Sequence, residues 1–336
     1  MTIPIENIYF LLCYAWDKLD ERDIVSVQAQ EHTQLLDLLT RVLLNGTTYL
    51  LKRGIDRQYL PQQHAYAGVK GKFLLGETLK HPSLMATHTQ CEFDEFSVDI
   101  LHNQLLYTTL RHLLRCEDVH QGLHQSIRSL LPKLSGIQEV TLSERLFQSV
   151  RLHRNNAFYG FLMNCCELIH QNLLLNEQTG KYRFRDFWQD ERQMARLFEA
   201  FVRNFYKREL SDARVYREDI RWQMEATATD LSLLPKMQTD ISIEWHNRKT
   251  LIDTKFYSET LRTYFDAQKI HAPHLYQLFA YLQNHPDAQE GILLYPVVSH
   301  QVGAAYQRGT QRIRVETIHL AQPWQSIRED LLRLVG

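Results

Sequence analysis

The stretch KMQTDISIEWHNRKTLIDTKFY at 236–257 decides how the C-terminal part of the chain folds. Apolar and polar residues alternate in two runs, 236–245 and 249–257, and this alternation is typical of strands. The residues between them, His246 and Asn247, suit a tight turn. We therefore predict an antiparallel hairpin.

A turn at that position places Asp240 directly opposite Asp253, with their Cβ atoms roughly 4.5–5.5 Å apart. Lys255 is two residues beyond Asp253, so its side chain lies on the same face of the strand. Opposed like charges destabilise a sheet unless a cation offsets them, and carboxylate oxygens suit Mg²⁺ or Mn²⁺. The hairpin therefore predicts a metal site. The alternative is an ordinary solvent-facing sheet.

Two helices around the hairpin carry further candidates. A helix predicted at about 188–210 carries Glu199, a candidate extra ligand. A helix predicted at about 268–284 carries Gln277 and Tyr281, four residues apart and hence on one side. The alternative for these two is a plain surface residue and a plain core residue.

The order of elements from residue 186 onward predicts a small mixed sheet with helices on both sides. The predicted order is α-β-β-β-α-β-β-α, at 188–210, 214–224, 236–245, 249–257, 268–284, 291–298, 312–320 and 323–334.

Residues 1–185 show a different pattern of apolar and polar residues. Helical periodicity predicts helices at 5–16, 31–53, 100–130 and 155–175, and alternation predicts strands within 56–75. We predict an α+β, mixed protein with three parts. These are an α+β domain at 1–100, a helical connector at 101–185 and a domain with the mixed sheet at 186–336.

Composition narrows the class of protein. The 336 residues carry a formal charge of −1, so any nucleic-acid contact must come from local patches. Five cysteines without a CxxC pair favour a reducing cytoplasm, and no stretch predicts a membrane span. Lys70 and Lys72 flank Gly71 in the most basic stretch, 41–80, as candidate partner or DNA contacts. The alternative is a surface hairpin without a role.

The spacing of Asp240, Asp253 and Lys255 is the general pattern of the PD-(D/E)xK nuclease superfamily. Over almost its whole length the chain resembles the McrC proteins, the nuclease subunits of McrBC-type modification-dependent restriction systems. The resemblance rests on IPIENIYFLLCYAWDKL, LLKRGIDRQYLPQQHAYAGVKGKF, GKYRFRDFWQDERQMARLFEAFVRNFYKREL, LLPKMQTDISI, LIDTKFY and HLYQLFAYL.

The resemblance implies a Mg²⁺-dependent DNA endonuclease with a PD-(D/E)xK fold, whose N-terminal domain docks on a partner. That partner is an McrB-type AAA+ GTPase ring, which recognises methylated double-stranded DNA and whose GTP hydrolysis McrC stimulates. This chain has no G-x4-G-K-[ST] phosphate loop, so GTP is expected to bind the partner. Two alternatives are a non-catalytic adaptor of an AAA+ motor and a stand-alone RecB-like nuclease.

The resemblance also implies roles for single residues. Asp240, Asp253 and the carbonyl of Thr254 match metal ligands, with Glu199 as a further candidate. Lys255 matches the catalytic lysine. The supporting pair is Gln277 and Tyr281. The PD-(D/E)xK superfamily often has Pro before the first acid, where this chain has Thr239.

Overall fold

The predicted hairpin is present in the computed structural model. Its strands are Ile241–Trp245 and Arg248–Thr254. Both turn residues, 246 and 247, have positive φ angles, of 49° and 59°. A two-residue turn of this kind matches the twist of the strands it joins. Ile241 pairs with Ile252, so the predicted register is confirmed along the ladder.

The structure describes most of the chain, which forms two compact units. Of the described residues, those in 3–20 and 190–336 belong to the first unit and those in 34–185 to the second. No described helix is long and apolar enough to cross a membrane. The described residues are 3–20, 34–68, 70–79, 88–176, 178–185, 190–225, 227–256, 271–298 and 303–336.

The chain opens with helix α1 (Ile5–Ala15), which belongs to the first unit. The elements of the second unit are α2 (Leu35–Arg53), β1 (Gln58–Tyr66), β2 (Lys72–Phe73), α3 (Leu75–Leu79), β3 (Thr89–Ser97), α4 (Leu101–Leu114), α5 (Gln121–Leu130), α6 (Glu144–Ser149), α7 (Phe158–Asn172), β4 (Leu173–Asn176) and β5 (Lys181–Phe184).

The second unit combines a helical core with a small antiparallel sheet in the order β1-β3-β2. Leu39, Leu106 and Leu162 are buried where α2, α4 and α7 pack together. The helix predicted at 100–130 is two helices, because the chain turns between α4 and α5. Strand β3 was not predicted. Residues 31–33 of the predicted helix 31–53 lie outside the described residues.

The first unit continues after residue 186. Its elements are α8 (Glu191–Glu209), β6 (Arg214–Tyr216), β7 (Asp219–Ile220), α9 (Ala228–Ser232), β8 (Met237–Gln238), β9 (Ile241–Trp245), β10 (Arg248–Thr254), α10 (Ala272–Asn284), β11 (Glu290–Val297), β12 (Gly303–Arg308), β13 (Gln311–His319) and α11 (Trp324–Val335).

A six-stranded sheet forms the centre of this unit, in the order β12-β13-β11-β10-β9-β6. β11 runs parallel to β10 and β13, whereas the other neighbours are antiparallel. The predicted mixed sheet is therefore confirmed. Strand β12 was not predicted. Residues 257 and 268–270, which the predictions included in a strand and a helix, lie outside the described residues.

Two predicted strands are interrupted, and both predictions were wrong in this respect. The strand predicted at 236–245 bends at Thr239 and Asp240, between β8 and β9. The hydroxyl of Thr239 accepts a hydrogen bond from the backbone N–H of Glu218 and lies 2.9 Å from the hydroxyl of Ser242. The backbone N–H of Thr239 also donates to the carbonyl of Glu218 at 3.0 Å, so Thr239 is bonded to the segment before β7 and not to β10. The strand predicted at 214–224 divides into β6 and β7, and β7 pairs with β8 outside the large sheet.

Both faces of the central sheet are covered. Leu251 and Leu293 pack with Leu278 and Leu282 of α10 in one buried cluster. The residues that alternate with them on β10 and β11, such as Ile252 and Leu294, are buried too. Side chains on one strand alternate between the two faces, so the second face must also be packed.

Helix α1 is an integral part of the first unit. The ring of Phe10 stacks on Trp324 of α11 with centroids 4.5 Å apart. The side-chain amide of Asn7 donates to two backbone carbonyls, those of Leu320 and Gln322, each at 2.8 Å. The N-terminal helix thus completes a unit whose other residues lie beyond 185.

We expect Asn7→Ala to lower the free energy of unfolding by about 1–3 kcal/mol, because two carbonyls lose their partner. Urea unfolding followed by tryptophan fluorescence measures the change. Glu6→Gln, one residue earlier and exposed, is the matched control and should stay within about 0.5 kcal/mol of the parent protein. Equal losses in both variants would contradict the anchoring role of Asn7.

Candidate active site

Asp253 lies near the end of β10, in the interior of the sheet. Its side chain is 2% exposed, and its Oδ2 atom lies 2.8 Å from Nζ of Lys255. Among the described residues this oxygen accepts no hydrogen bond of good geometry, although the ion pair is close. A buried carboxylate oxygen that has an ion pair but no well-formed hydrogen bond is under-satisfied.

The environment of Asp253 disfavours its charged form. Burial, with further contributions from Asp240 and Glu199, raises the pKa of Asp253 to about 7 against the opposing effect of Lys255. Two negative neighbours and a low-dielectric position act in the same direction. A strongly shifted carboxyl of this kind is a mark of functional sites.

Asp240 approaches β10 from the bend that precedes β9. Its Oδ2 atom accepts two hydrogen bonds from Thr254, one from the backbone N–H at 2.8 Å and one from the hydroxyl at 2.9 Å. The ladder ends at the pair of Ile241 and Ile252, so the direct opposition of Asp240 and Asp253 stays a prediction. The role of the Thr254 carbonyl as a metal ligand stays a prediction.

A chain of hydrogen bonds holds Lys255. Its ammonium donates to the side-chain oxygen of Gln277 at 3.0 Å, and the amide nitrogen of Gln277 donates to the hydroxyl of Tyr281 at 2.8 Å. Tyr281 in turn donates to the backbone carbonyl of Gln238 at 3.0 Å. The lysine and the two residues of α10 are therefore brought together, as the i,i+4 spacing predicted.

Glu199 lies at the margin of this group. Its Oε1 atom is 2.6 Å from Nη1 of Arg203 and 3.6 Å from Nε of Arg217. It is close enough to Asp253 to raise the pKa of that carboxyl, although it is the weakest of the contributors. Its role as a metal ligand stays a prediction.

His274 and Arg217 were not predicted from the sequence. His274 is buried, and its Nδ1 atom lies 2.9 Å from the hydroxyl of Tyr295. Burial, followed by the charges of Lys255 and His271, lowers the pKa of His274 to about 4. His274 lies three residues before Gln277, so helical spacing could have placed it on the same side of the helix. No sequence pattern pointed to Arg217.

Lys70 and Lys72 belong to the second unit. The ammonium of Lys70 lies 3.9 Å from the centre of the Phe93 ring, and Lys72 pairs with Glu92 at 3.5 Å. Gly71 between them has φ of 70°, and a Cβ there would come within 2.4 Å of the carbonyl oxygen of Glu92. The glycine is therefore required for the close approach of this loop to β3.

The donor atoms around Asp253 fit a hard divalent cation. Within the described part of the chain, no group of three His, Cys, Asp or Glu side chains is placed to hold a metal ion. Two carboxylates and a carbonyl are nevertheless a suitable partial shell for Mg²⁺, which usually keeps several waters. The under-satisfied oxygen of Asp253 is the observation that favours this fit.

Comparison with known proteins supplies the family. The model of the family described as "McrBC 5-methylcytosine restriction system component" matches residues 7–296. The chain belongs to this family. The resemblance to McrC proteins is thereby confirmed, and the protein is a component of a restriction system.

Two relatives illustrate the family. The chain is 32% identical over 336 residues to the Escherichia coli K12 protein named type IV methyl-directed restriction enzyme EcoKMcrBC, covering 98% of this chain and 97% of that protein. A solved structure is described as a refined half-complex from a tetradecameric assembly of Thermococcus gammatolerans McrB AAA+ hexamers with bound McrC. It matches with a TM-score of 0.59 and 16% identity, over 98% of this chain and 76% of that chain, and supports the fold.

The raised pKa of Asp253 predicts a pH-dependent stability. Between pH 3.8 and about 7 the folded protein holds a proton that the unfolded chain has lost, so the free energy of unfolding falls as pH rises through this window. Asp253→Asn removes the effect. In EDTA we expect the variant to be more stable than the parent by about 1–4 kcal/mol at pH 8, and by less at pH 5.

Urea unfolding at the two pH values measures this difference. Asp212→Asn, which replaces an exposed carboxylate, is the control. Its free energy of unfolding should differ from that of the parent by the same amount at both pH values. Adding Mg²⁺ at pH 8 should narrow the gap between the parent protein and Asp253→Asn. A gap that is equal at pH 5 and pH 8 would contradict the raised pKa of Asp253.

Proposed function

We propose that this chain is the Mg²⁺-dependent endodeoxyribonuclease subunit of a GTP-dependent, methylcytosine-directed restriction complex, with a PD-(D/E)xK nuclease domain at 186–336. The observation that carries the proposal is the buried Asp253 beside Asp240 and Lys255 at the end of β10. Membership of the restriction family supports the same conclusion. The proposed site of reaction is a phosphodiester of double-stranded DNA.

Asp240, Asp253 and the carbonyl of Thr254 are the residues that would hold Mg²⁺ or Mn²⁺. When bound, the cation lowers the pKa of a coordinated water and stabilises the negative charge that develops on the phosphoryl group. The hydrogen bonds from Thr254 keep the Asp240 carboxylate in place. Glu199 stays a candidate ligand.

Lys255 would supply a fixed positive charge next to the reacting phosphate. Its ammonium is held between Asp253 and Gln277, and Tyr281 fixes the orientation of the Gln277 amide. A charge held in advance at the correct place stabilises a transition state without reorganisation. Gln277 and Tyr281 are therefore proposed to position the lysine.

The proposed partner is an McrB-type AAA+ GTPase ring. The E. coli relative is named as a methyl-directed restriction enzyme, and the Thermococcus assembly contains McrB hexamers with bound McrC. The chain itself lacks a phosphate-loop sequence, so GTP is proposed to bind the partner and methylated DNA to be the target.

We expect Asp253→Ala and Lys255→Ala each to reduce DNA cleavage by at least about 10²-fold, because each removes a charge next to the reacting group. Stimulation of the partner's GTP hydrolysis should be retained. The measurement is cleavage of methylated and unmethylated duplex with purified partner, GTP and Mg²⁺.

Lys236→Ala is the matched control, since Lys236 is exposed and pairs with Asp219 on the same unit. It should cleave at the parental rate. Full cleavage by either active-site variant overturns the assignment. Absence of cleavage by the parent protein, with GTPase stimulation intact, favours the adaptor alternative. Cleavage by the parent protein without partner or GTP favours the stand-alone nuclease.

The loop of Lys70 and Lys72 is proposed to contact the partner ring or DNA. Lys72 is exposed where it pairs with Glu92, and Gly71 allows the loop to lie against β3. Cations at the margin of an interface raise association rates and make binding sensitive to salt.

We expect the Lys70→Ala, Lys72→Ala double variant to stimulate the partner's GTPase several-fold less than the parent chain, and the deficit to grow with salt concentration. The Lys133→Ala, Lys181→Ala double variant, which removes two exposed lysines elsewhere in the second unit, is the control. An unchanged rate in the first variant argues against a partner contact. DNA affinity of the two variants then tests the remaining role.

A further inference from the structure

A cluster of alternating charges lies beside the carboxylates of the candidate site. Glu199 of α8 pairs with Arg203 one turn later and with Arg217, which follows β6. Arg203 is mostly covered, with a side chain 20% exposed, whereas the side chain of Arg217 is 44% exposed. The proposed chemistry uses neither arginine.

Arg217 is attached to the segment that carries Asp240. Its Nε atom lies 3.5 Å from the carbonyl oxygen of Thr239, the residue immediately before Asp240. Its Nη2 atom donates to the side chain of Gln238 at 2.9 Å. The carbonyl of Gln238 accepts the hydrogen bond of Tyr281, so this short segment joins Arg217 to the residues that hold Lys255.

The guanidinium has more donors than these contacts use. An arginine side chain offers five N–H groups in a planar fork, and the contacts with Thr239, Gln238 and Glu199 engage Nε and Nη2. A fork of this shape matches the oxygens of a phosphate group, and partial exposure leaves it open to a ligand.

The negative charges of the metal-free site favour a further cation where a polyanionic ligand binds. Asp240, Asp253 and Glu199 would repel the phosphates of a DNA backbone, and Lys255 is committed to Asp253 and Gln277. A second cation next to Asp240 offsets that repulsion at the short distances where it is strongest.

We propose that Arg217 binds a backbone phosphate of duplex DNA next to the scissile phosphodiester, and that Glu199 positions Arg217 for this contact. The inference rests on the proposed nuclease function and names a DNA-positioning residue for it. The predicted role of Glu199 as a metal ligand is a competing assignment, which the metal-binding measurement below separates.

The test is DNA binding by the full chain in EDTA, where no cleavage occurs, measured by fluorescence anisotropy of an end-labelled unmethylated duplex at several salt concentrations. We expect Arg217→Gln to weaken binding about tenfold at low salt and to lower the slope of log affinity against log salt by about 1. Arg217→Lys, which keeps the charge, should recover most of the affinity.

These two substitutions separate a phosphate contact from a structural role. Glutamine can donate a hydrogen bond to the Thr239 carbonyl but loses the ion pair with Glu199. A purely structural Arg217 therefore predicts a parental salt slope for Arg217→Gln, whatever the affinity, and a parental slope overturns the phosphate contact. Arg214→Gln is the matched control, because Arg214 is 73% exposed at the start of β6 and pairs with Glu244 at the other end of β9. It should bind DNA as the parent does.

Equal affinities of the parent and Arg217→Gln, or no measurable binding by the parent chain, overturn the proposal. The role of Glu199 is decided by calorimetry of Mn²⁺ binding. Glu199→Gln should bind Mn²⁺ with the affinity of the parent. If its Mn²⁺ affinity falls as much as that of Asp240→Asn, Glu199 is a metal ligand and the positioning role is overturned. The nuclease function fails separately, if the parent chain with its partner, GTP and Mg²⁺ does not cleave DNA. In that case a weaker affinity of Arg217→Gln for DNA still supports the phosphate contact.

Discussion

The two-residue turn at His246 and Asn247 determines the register of the β9–β10 ladder, and the position of every residue in the candidate site depends on that register. A slip of one residue would exchange the faces of β10 and bring Ile252 and Thr254 to the side where Asp253 and Lys255 now lie. The buried residues on both faces make such a slip costly. Turn geometry and sheet packing therefore specify the same register.

The burial of Asp253 has a cost that the surrounding residues reduce without removing. A carboxylate in a sheet interior loses its hydration, and Lys255 restores part of that loss. The negative charges of Asp240 and Glu199 oppose the effect of the lysine, so the ionised form of Asp253 is unfavourable in the metal-free folded protein. Proteins commonly keep destabilised groups of this type where they bind ions or substrates, at the expense of stability.

The sequence predicted the features that depend on local pattern. Alternation and the turn residues gave the hairpin, and helical spacing grouped Gln277 with Tyr281. The bend at Thr239 was not predictable, because it depends on a hydrogen bond from Glu218, distant in sequence. The proposed role of Arg217 was not predictable either, because it depends on contacts with Glu199 and Thr239 that form only in the folded chain.

The inclusion of helix α1 in the first unit has a consequence for folding during synthesis. The bond from Asn7 to Leu320 spans 313 residues, so α1 leaves the ribosome long before its partners exist. The second unit, made entirely of residues in between, has all its contacts available earlier. Domains generally fold as units during synthesis, and long-range closure is slow. The apolar face of α1 must therefore stay unpaired or be shielded until α8 has been made, and its contacts with α11 form last.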